Sequence, residues 1–148
     1  MKVFPLDDNV AFSRMPARSE MDEVAETFDA IVVLVEEYEL PYSLNEWRKR
    51  NVDVLHSPIP DFSAPTLNQL LKILRWIEAK TLENKRVLIH CMGGLGRSGT
   101  VAVAWVMYSK ELPLREALRR VRSLRPGAVE VEEQMEVLKE LEMLLKSR

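Results

Sequence analysis

The 148-residue chain predicts an α/β domain. A central, mostly parallel sheet is flanked by helices, and a cysteine-bearing loop lies between a strand and a buried helix. Three observations carry this expectation. Asp29–Val35 and Arg86–His90 are nearly continuous apolar runs, the pattern of strands buried on both faces. Segments with apolar residues at helical spacing alternate with such runs. The scarce glycines concentrate between Gly93 and Gly127, so the tightest backbone turns fall in one half of the chain.

Each element has its own signals. Val10–Phe12 reads as a short first strand. Ser19-x-x-Asp22 resembles a capping box opening a short helix that runs to about Phe28. Asp29–Val35 is the next strand, buried and central. Ser43-x-x-Glu46 caps a second short helix, ending near Asn51 in a left-handed cap. Val52–His56 is a strand, with His56 packed or at the surface. Ser57–Pro65 contains three prolines, which forbid helix and regular sheet alike. So long a stiff loop in a small domain is often functional. A long helix follows from about Thr66 to Leu82, with Leu67, Leu70, Leu71, Leu74 and Ile77 as its core stripe. The strand Arg86–His90 runs into Cys91–Thr100 and then into a nearly all-apolar helix from Val101 to about Ser109. Two helices close the chain: Leu114–Leu124 between Pro113 and Pro126, and about Val131–Lys146. The last presents Val131, Val137, Leu138, Leu141, Leu144 and Leu145 to the core. Trp47, Trp76 and Trp105 are expected as buried or partly buried anchors.

Composition narrows the function classes. Apolar residues make up 47% and charged residues 30%, a soluble globular balance. Lys plus Arg is 21 against 23 for Asp plus Glu, a net charge of −2, which disfavours a general nucleic-acid binder. No apolar run approaches a membrane span, and the first residues do not form a signal peptide. The single cysteine excludes an internal disulfide. The expectation is one domain over residues 1–148, cytoplasmic, monomeric, and without nucleic-acid or membrane partners. Two glutamines beside many Glu, Lys and Arg point to a heat-adapted source.

The chemistry concentrates in Cys91–Thr100. A helix N-terminus offers unpaired N–H groups and a partial positive charge. Glycines at 93, 94 and 96 let the preceding turn curl so that further N–H groups point inward, forming a nest for an anion. The same field favours thiolate over thiol, so Cys91 is expected to be nucleophilic at neutral pH. Arg97, six residues on, carries a planar fork that can grip two oxygens of a tetrahedral oxyanion. Such a constellation suits attack at phosphorus. The leaving oxygen then needs a proton, and Asp61 on the stiff loop is the candidate acid, serving afterwards as base toward water. Ser98 is placed to stabilise the departing thiolate. Its plainer role would be the helix N-cap. His90 is expected to order the loop through a backbone hydrogen bond. The chemistry needs no metal or cofactor.

His90-Cys91-x5-Arg97-Ser98-Gly99 resembles the signature of the cysteine-dependent protein tyrosine phosphatases. The thirty-residue spacing from Asp61 to Cys91 is similar to that of their compact dual-specificity branch. Leu124–Glu130, followed by Gln134, resembles the segment after the signature in small atypical and archaeal members. The resemblance spans roughly residues 50–140. It implies a phosphotyrosine-phosphatase-like fold, Cys91 as nucleophile, Arg97 as phosphate ligand and Asp61 as general acid. It also implies that the amides of Met92, Gly93, Gly94, Leu95, Gly96 and Arg97 hold the phosphate oxygens. Glu130 or Gln134 would orient the hydrolytic water. Phosphoproteins would be the substrates, phosphotyrosine first, with phosphoserine and phosphothreonine beside it, in a shallow pocket. The alternatives are a phosphoinositide or RNA 5′-phosphate phosphatase, or a pseudophosphatase that binds phosphate without hydrolysis. Arg115, Arg119, Arg120, Arg122 and Arg125 form either a solvated face or a basic collar, with Arg125 nearest the site.

Overall fold

Val87–His90 is the middle strand of a five-stranded sheet, and all four of its residues are buried. The computed structural model describes residues 1–148. In chain order the elements are β1 (Phe4–Pro5), β2 (Val10–Ser13), α1 (Met21–Thr27), β3 (Ala30–Val33), α2 (Asn45–Arg48) and β4 (Asp53–His56). Then follow α3 (Leu67–Leu82), β5 (Val87–His90), α4 (Arg97–Lys110), α5 (Leu114–Leu124) and α6 (Glu132–Lys146). The strand order is β1-β2-β5-β3-β4. All neighbours run parallel except the short edge strand β1 against β2. The expected α/β architecture is present.

Register places the site. Ser13, His90 and Val33 are aligned across β2, β5 and β3, and Val33 is aligned with His56 on β4. Four parallel strands therefore end at one level. The loops that leave them meet along one edge of the sheet, where ligands bind in open parallel sheets. Helix α4 passes beneath with eleven of its fourteen residues buried, at the centre of a core of 39 buried hydrophobic residues.

Several boundaries differ from the sequence reading, each for a local reason. Helix α4 begins at Arg97 rather than Val101. Small polar residues carry its first turn, where the Thr100 hydroxyl and amide both donate to the Gly96 carbonyl, at 2.6 and 2.9 Å. Gly96 is thus the N-cap and Ser98 lies inside the helix, so Ser98 is not the cap. The start of α1 is not set by Ser19 and Asp22. A 3₁₀ turn at Arg18–Glu20 precedes it, and the Glu20 carboxylate accepts from Ala17 N at 2.8 Å while pairing with Arg14. In α3, Ile73 joins Leu70, Leu74 and Ile77 in the core, while Leu67 and Leu71 are only half-buried. In α6, Val137, Leu138 and Leu141 are buried, whereas Val131 and Leu145 are partly covered and Leu144 is exposed. Trp47 and Trp105 are buried and Trp76 half-buried. Asn51 does take the left-handed conformation, at φ 62°.

Candidate active site

Cys91 follows β5 directly and is almost wholly buried, at 2% exposure. Its Sγ lies 3.1 Å from the Ser98 hydroxyl. The loop from Met92 to Gly96 turns over it, with Gly94 at φ +72°. A side chain there would meet the backbone of Ser13 and Arg14, with Arg14 N only 2.7 Å from its Cβ, so the turn requires glycine.

The loop's carbonyls show which way its amides face. Met92 O accepts from Met15 N at 3.0 Å, and Leu95 O from Val129 N at 3.2 Å. Gly93 O and Gly94 O accept from the Arg125 guanidinium, each at 3.3 Å. Four consecutive carbonyls are therefore held from outside the loop. In a trans peptide the following N–H points the opposite way. The amides of Gly93, Gly94, Leu95 and Gly96 thus face inward, and none of them has a hydrogen-bond partner within the chain. With the N-terminus of α4, they form an anion cradle around the sulfur.

Arg97 is 2% exposed and held by two loops. It makes a bidentate pair with Glu39, Nη1 to Oε2 at 2.8 Å and Nη2 to Oε1 at 2.9 Å. Its Nη1 also donates to the Ile59 carbonyl at 2.9 Å, and its Nη2 lies 3.4 Å from Asp61 Oδ1. Hydrogen bonds from Arg97 hold the Glu39 carboxyl below the usual carboxylate range, against the opposing effect of burial. Sequence reasoning missed Glu39. The available signal was its place just beyond β3, which lies beside the strand that leads to Cys91. Glu39→Gln keeps the shape but removes the charge that orients the fork. The expected outcome is a rise in KM for phosphate esters and a fall in kcat/KM of roughly tenfold or more, measured by steady-state hydrolysis of an aryl phosphate.

The remaining candidates fall into distinct places. Asp61 is half-exposed on the loop opposite the cradle. Glu130 and Gln134 flank Gly96: a Cβ there would come 2.5 Å from Glu130 Oε1 and 3.0 Å from Gln134 Nε2. Gln134 is fully buried, and its Oε1 accepts from the amides of Glu130 and Val131 at 2.8 and 3.3 Å. Val129, a β-branched residue at φ 68°, holds this turn in a strained conformation beside the cradle. Four of the five arginines of the collar are engaged: Arg119 and Arg120 pair with Glu116, Arg122 donates to the carbonyls of Ala128 and Val129, and Arg125 fastens the cradle, while Arg115 is exposed. The His56 Nε2 pairs with the Val35 carbonyl. No group of three or more His, Cys, Asp and Glu side chains is arranged as a metal site.

His90 contacts the Cys91 carbonyl through Nδ1 at 3.0 Å, a backbone hydrogen bond of the kind expected of it. Its complete burial pushes the imidazole down to about 4, opposed by that hydrogen bond and reinforced by the nearby Arg97 charge. The ring is therefore neutral at pH 7, and Nδ1–H is the donor. Between pH 6.5 and 4 the unfolded chain binds a proton that the folded chain refuses, so stability falls on acidification through that window. The expected loss is about 3 kcal/mol, measured as the urea midpoint against pH. A His90→Asn variant should show a flatter profile across the same range.

A buried thiol in an amide cradle, an arginine beside it and a carboxylic acid on the facing loop make up the site type of the cysteine-dependent phosphatases. Comparison with known proteins agrees. The family model "Dual specificity phosphatase, catalytic domain" matches residues 15–143, and the chain belongs to that family. The crystal structure of Tk-PTP in the active form superposes with a TM-score of 0.95 at 71% identity, covering 95% of this chain and 96% of that one. Cyclin-dependent kinase inhibitor 3 of Sus scrofa is 34% identical over 105 residues, which is 70% of this chain and 50% of the relative. The human phosphatidylglycerophosphatase and protein-tyrosine phosphatase 1 is 28% identical over 97% of this chain and 74% of its own length. The chain spans about half the length of the first of these curated relatives.

Proposed function

We propose that the chain is a protein phosphatase acting on phosphotyrosine, and on phosphoserine and phosphothreonine, through a phosphocysteine intermediate. The observation that carries this reading is the Cys91 sulfur beneath four inward, unpartnered amides, with the Ser98 hydroxyl 3.1 Å away. The Cys91 thiolate attacks phosphorus and forms an S–P bond as the ester P–O bond breaks. Asp61 gives its proton to the leaving alcohol or phenol oxygen. A water then attacks phosphorus, its proton passes to the Asp61 carboxylate, and the S–P bond breaks to release inorganic phosphate. The Ser98 hydroxyl donates to the sulfur as it leaves with the bond's electrons. Arg97, oriented by Glu39, and the cradle amides bear the charge on the phosphoryl oxygens throughout.

Other features support finer readings. A cavity of about 630 Å³ between the ends of α4 and α6 is lined by none of the cradle residues. No lysine stands in Met92–Gly96 to meet the extra phosphates of an inositol headgroup. Networks such as Lys80–Asp53–Lys85–Glu83 and Asp22–Arg50–Glu46 suit a heat-adapted chain of the small archaeal type. No helix is long and apolar enough to cross a membrane, and we place the protein in the cytoplasm as a monomer, as one catalytic domain without a nucleic-acid partner. The test is phosphate release from phosphotyrosine and phosphoserine peptides, phosphatidylglycerophosphate vesicles and 5′-phosphorylated RNA. The phosphotyrosine peptide should give the highest kcat/KM. A preference for the vesicles or the RNA overturns the protein-substrate reading.

A further inference from the structure

The chain has two glutamines, Gln69 and Gln134, and both hydrogen-bond the loop that carries Asp61. Gln69 Nε2 donates to the Ser57 hydroxyl at 2.9 Å and to the Pro58 carbonyl at 3.1 Å, where the loop leaves β4. Ile59 is fixed from the core: it is fully buried, its amide donates to Leu34 O, and its carbonyl accepts from Arg97. Beyond it the loop's tip has few ties: the Asp61 Oδ1 contact with Arg97 Nη2 at 3.4 Å, and two bonds within the tip, Ser63 N to Pro60 O and Phe62 N to Asp61 Oδ1, each at 3.0 Å. Its single backbone hydrogen bond to another element is the Ser63 carbonyl accepting from Gln134 Nε2 at 3.1 Å. Phe62 holds a left-handed φ of 59° in this tip while 61% exposed, a conformation unfavourable for an aromatic residue unless its surroundings enforce it.

Gln134 is suited to enforcing it. The side chain is fully buried, its Oε1 already serves two amides at the start of α6, and its Nε2 reaches across to Ser63. A side chain bound at both ends is not free to follow a water. We propose that Gln134, supported by Gln69, is a positioning residue that holds the Asp61 loop against the cradle by fastening its two ends to α6 and α3. Asp61 is then in place before substrate arrives, and the acid step depends on these two amides rather than on closure of the loop. This rests on the phosphatase reading above.

The experiment uses Gln134→Glu and Gln69→Met with a series of aryl phosphates from p-nitrophenyl to phenyl. Glutamate at 134 retains the acceptor for the helix cap, removes the donor to Ser63 and adds a negative charge beside the cradle, whose effect on phosphate binding is common to all the esters and cancels in the comparison of leaving groups. kcat/KM reports the steps through transfer of phosphorus to sulfur, where Asp61 acts as acid. The expected result is a loss of about tenfold for phenyl phosphate but only a few-fold for p-nitrophenyl phosphate in Gln134→Glu. Gln69→Met should show the same leaving-group selectivity to a smaller degree. Equal losses for every ester would assign these side chains to the cradle's integrity and overturn the proposal. So would an unaltered kcat/KM with a lowered kcat and a burst of phenol, the signature of water orientation by Gln134. A wild-type chain that hydrolyses none of the esters overturns the phosphatase reading itself.

Discussion

Cys91→Ser is expected to abolish turnover, with a loss of at least about 10⁴-fold in kcat. The substitution is nearly isosteric, so the cradle, Arg97 and Asp61 should stay in place. What changes is the ease of ionisation. A thiol ionises far more readily than an alcohol. A hydroxyl in the same position needs a base, and the site offers none. His90 is the adjacent imidazole, but its Nδ1–H is committed to the Cys91 carbonyl and the ring is sealed in the core. The Ser98 hydroxyl, 3.1 Å from the sulfur, is a donor of no greater basicity. Binding should survive, because the four amides and the Arg97 fork remain. It should tighten for dianionic esters, since the repulsion between thiolate and phosphate is removed. The checks are hydrolysis of p-nitrophenyl phosphate and calorimetric titration with a phosphotyrosine peptide. A serine variant with wild-type turnover would remove Cys91 from the mechanism. A wild type as inactive as the variant, yet still binding the peptide, would favour a pseudophosphatase.

The parts legible in the sequence were those that local chemistry dictates. The run Arg86–His90, the glycines that follow it and the apolar stretch beyond form one strand–loop–helix unit in which neighbours along the chain remain neighbours in space. Thus Cys91, Ser98, Arg97 and the cradle could be placed without a structure, as could the stiff loop carrying Asp61. The start of α4 was obscured because small polar residues carry its first turn and leave no apolar rhythm. Glu39 was missed for a different reason. Its partner lies 58 residues away, and the contact exists only because β3 and β5 end in register. The two glutamines illustrate the same limit: each meets the Asp61 loop from a helix whose packing is set by the whole core. The arginines of α5 and its cap left a solvated face and a basic collar both open in the sequence, and Arg125 does reach the cradle, while Arg122 turns onto backbone carbonyls and Arg119 and Arg120 pair with Glu116.

The second large effect is expected at Asp61. Removing the carboxyl in Asp61→Ala should lower kcat/KM by about 10²- to 10⁴-fold for phenyl and alkyl phosphates. For esters of strongly acidic phenols, which depart as anions unaided, the loss should be far smaller. The geometry makes that selectivity a direct consequence of one side chain. Asp61 is the carboxylic acid beside the Nη2 of Arg97, at 3.4 Å, so it stands next to the oxygens that the arginine grips. Glu39 is nearer to Arg97 but is fully engaged by both of its terminal nitrogens and held ionised, so it has no proton to lend. The pH profile should change with the same substitution, because the alanine variant loses whatever part of it depends on the Asp61 proton. Equal losses across all leaving groups, or an unaltered profile, would transfer the acid role away from Asp61. Glu130, whose carboxylate lies against Gly96 at the other side of the cradle, would then be the group to replace. The order of these outcomes follows from how Glu39 and Asp61 stand about the Arg97 guanidinium.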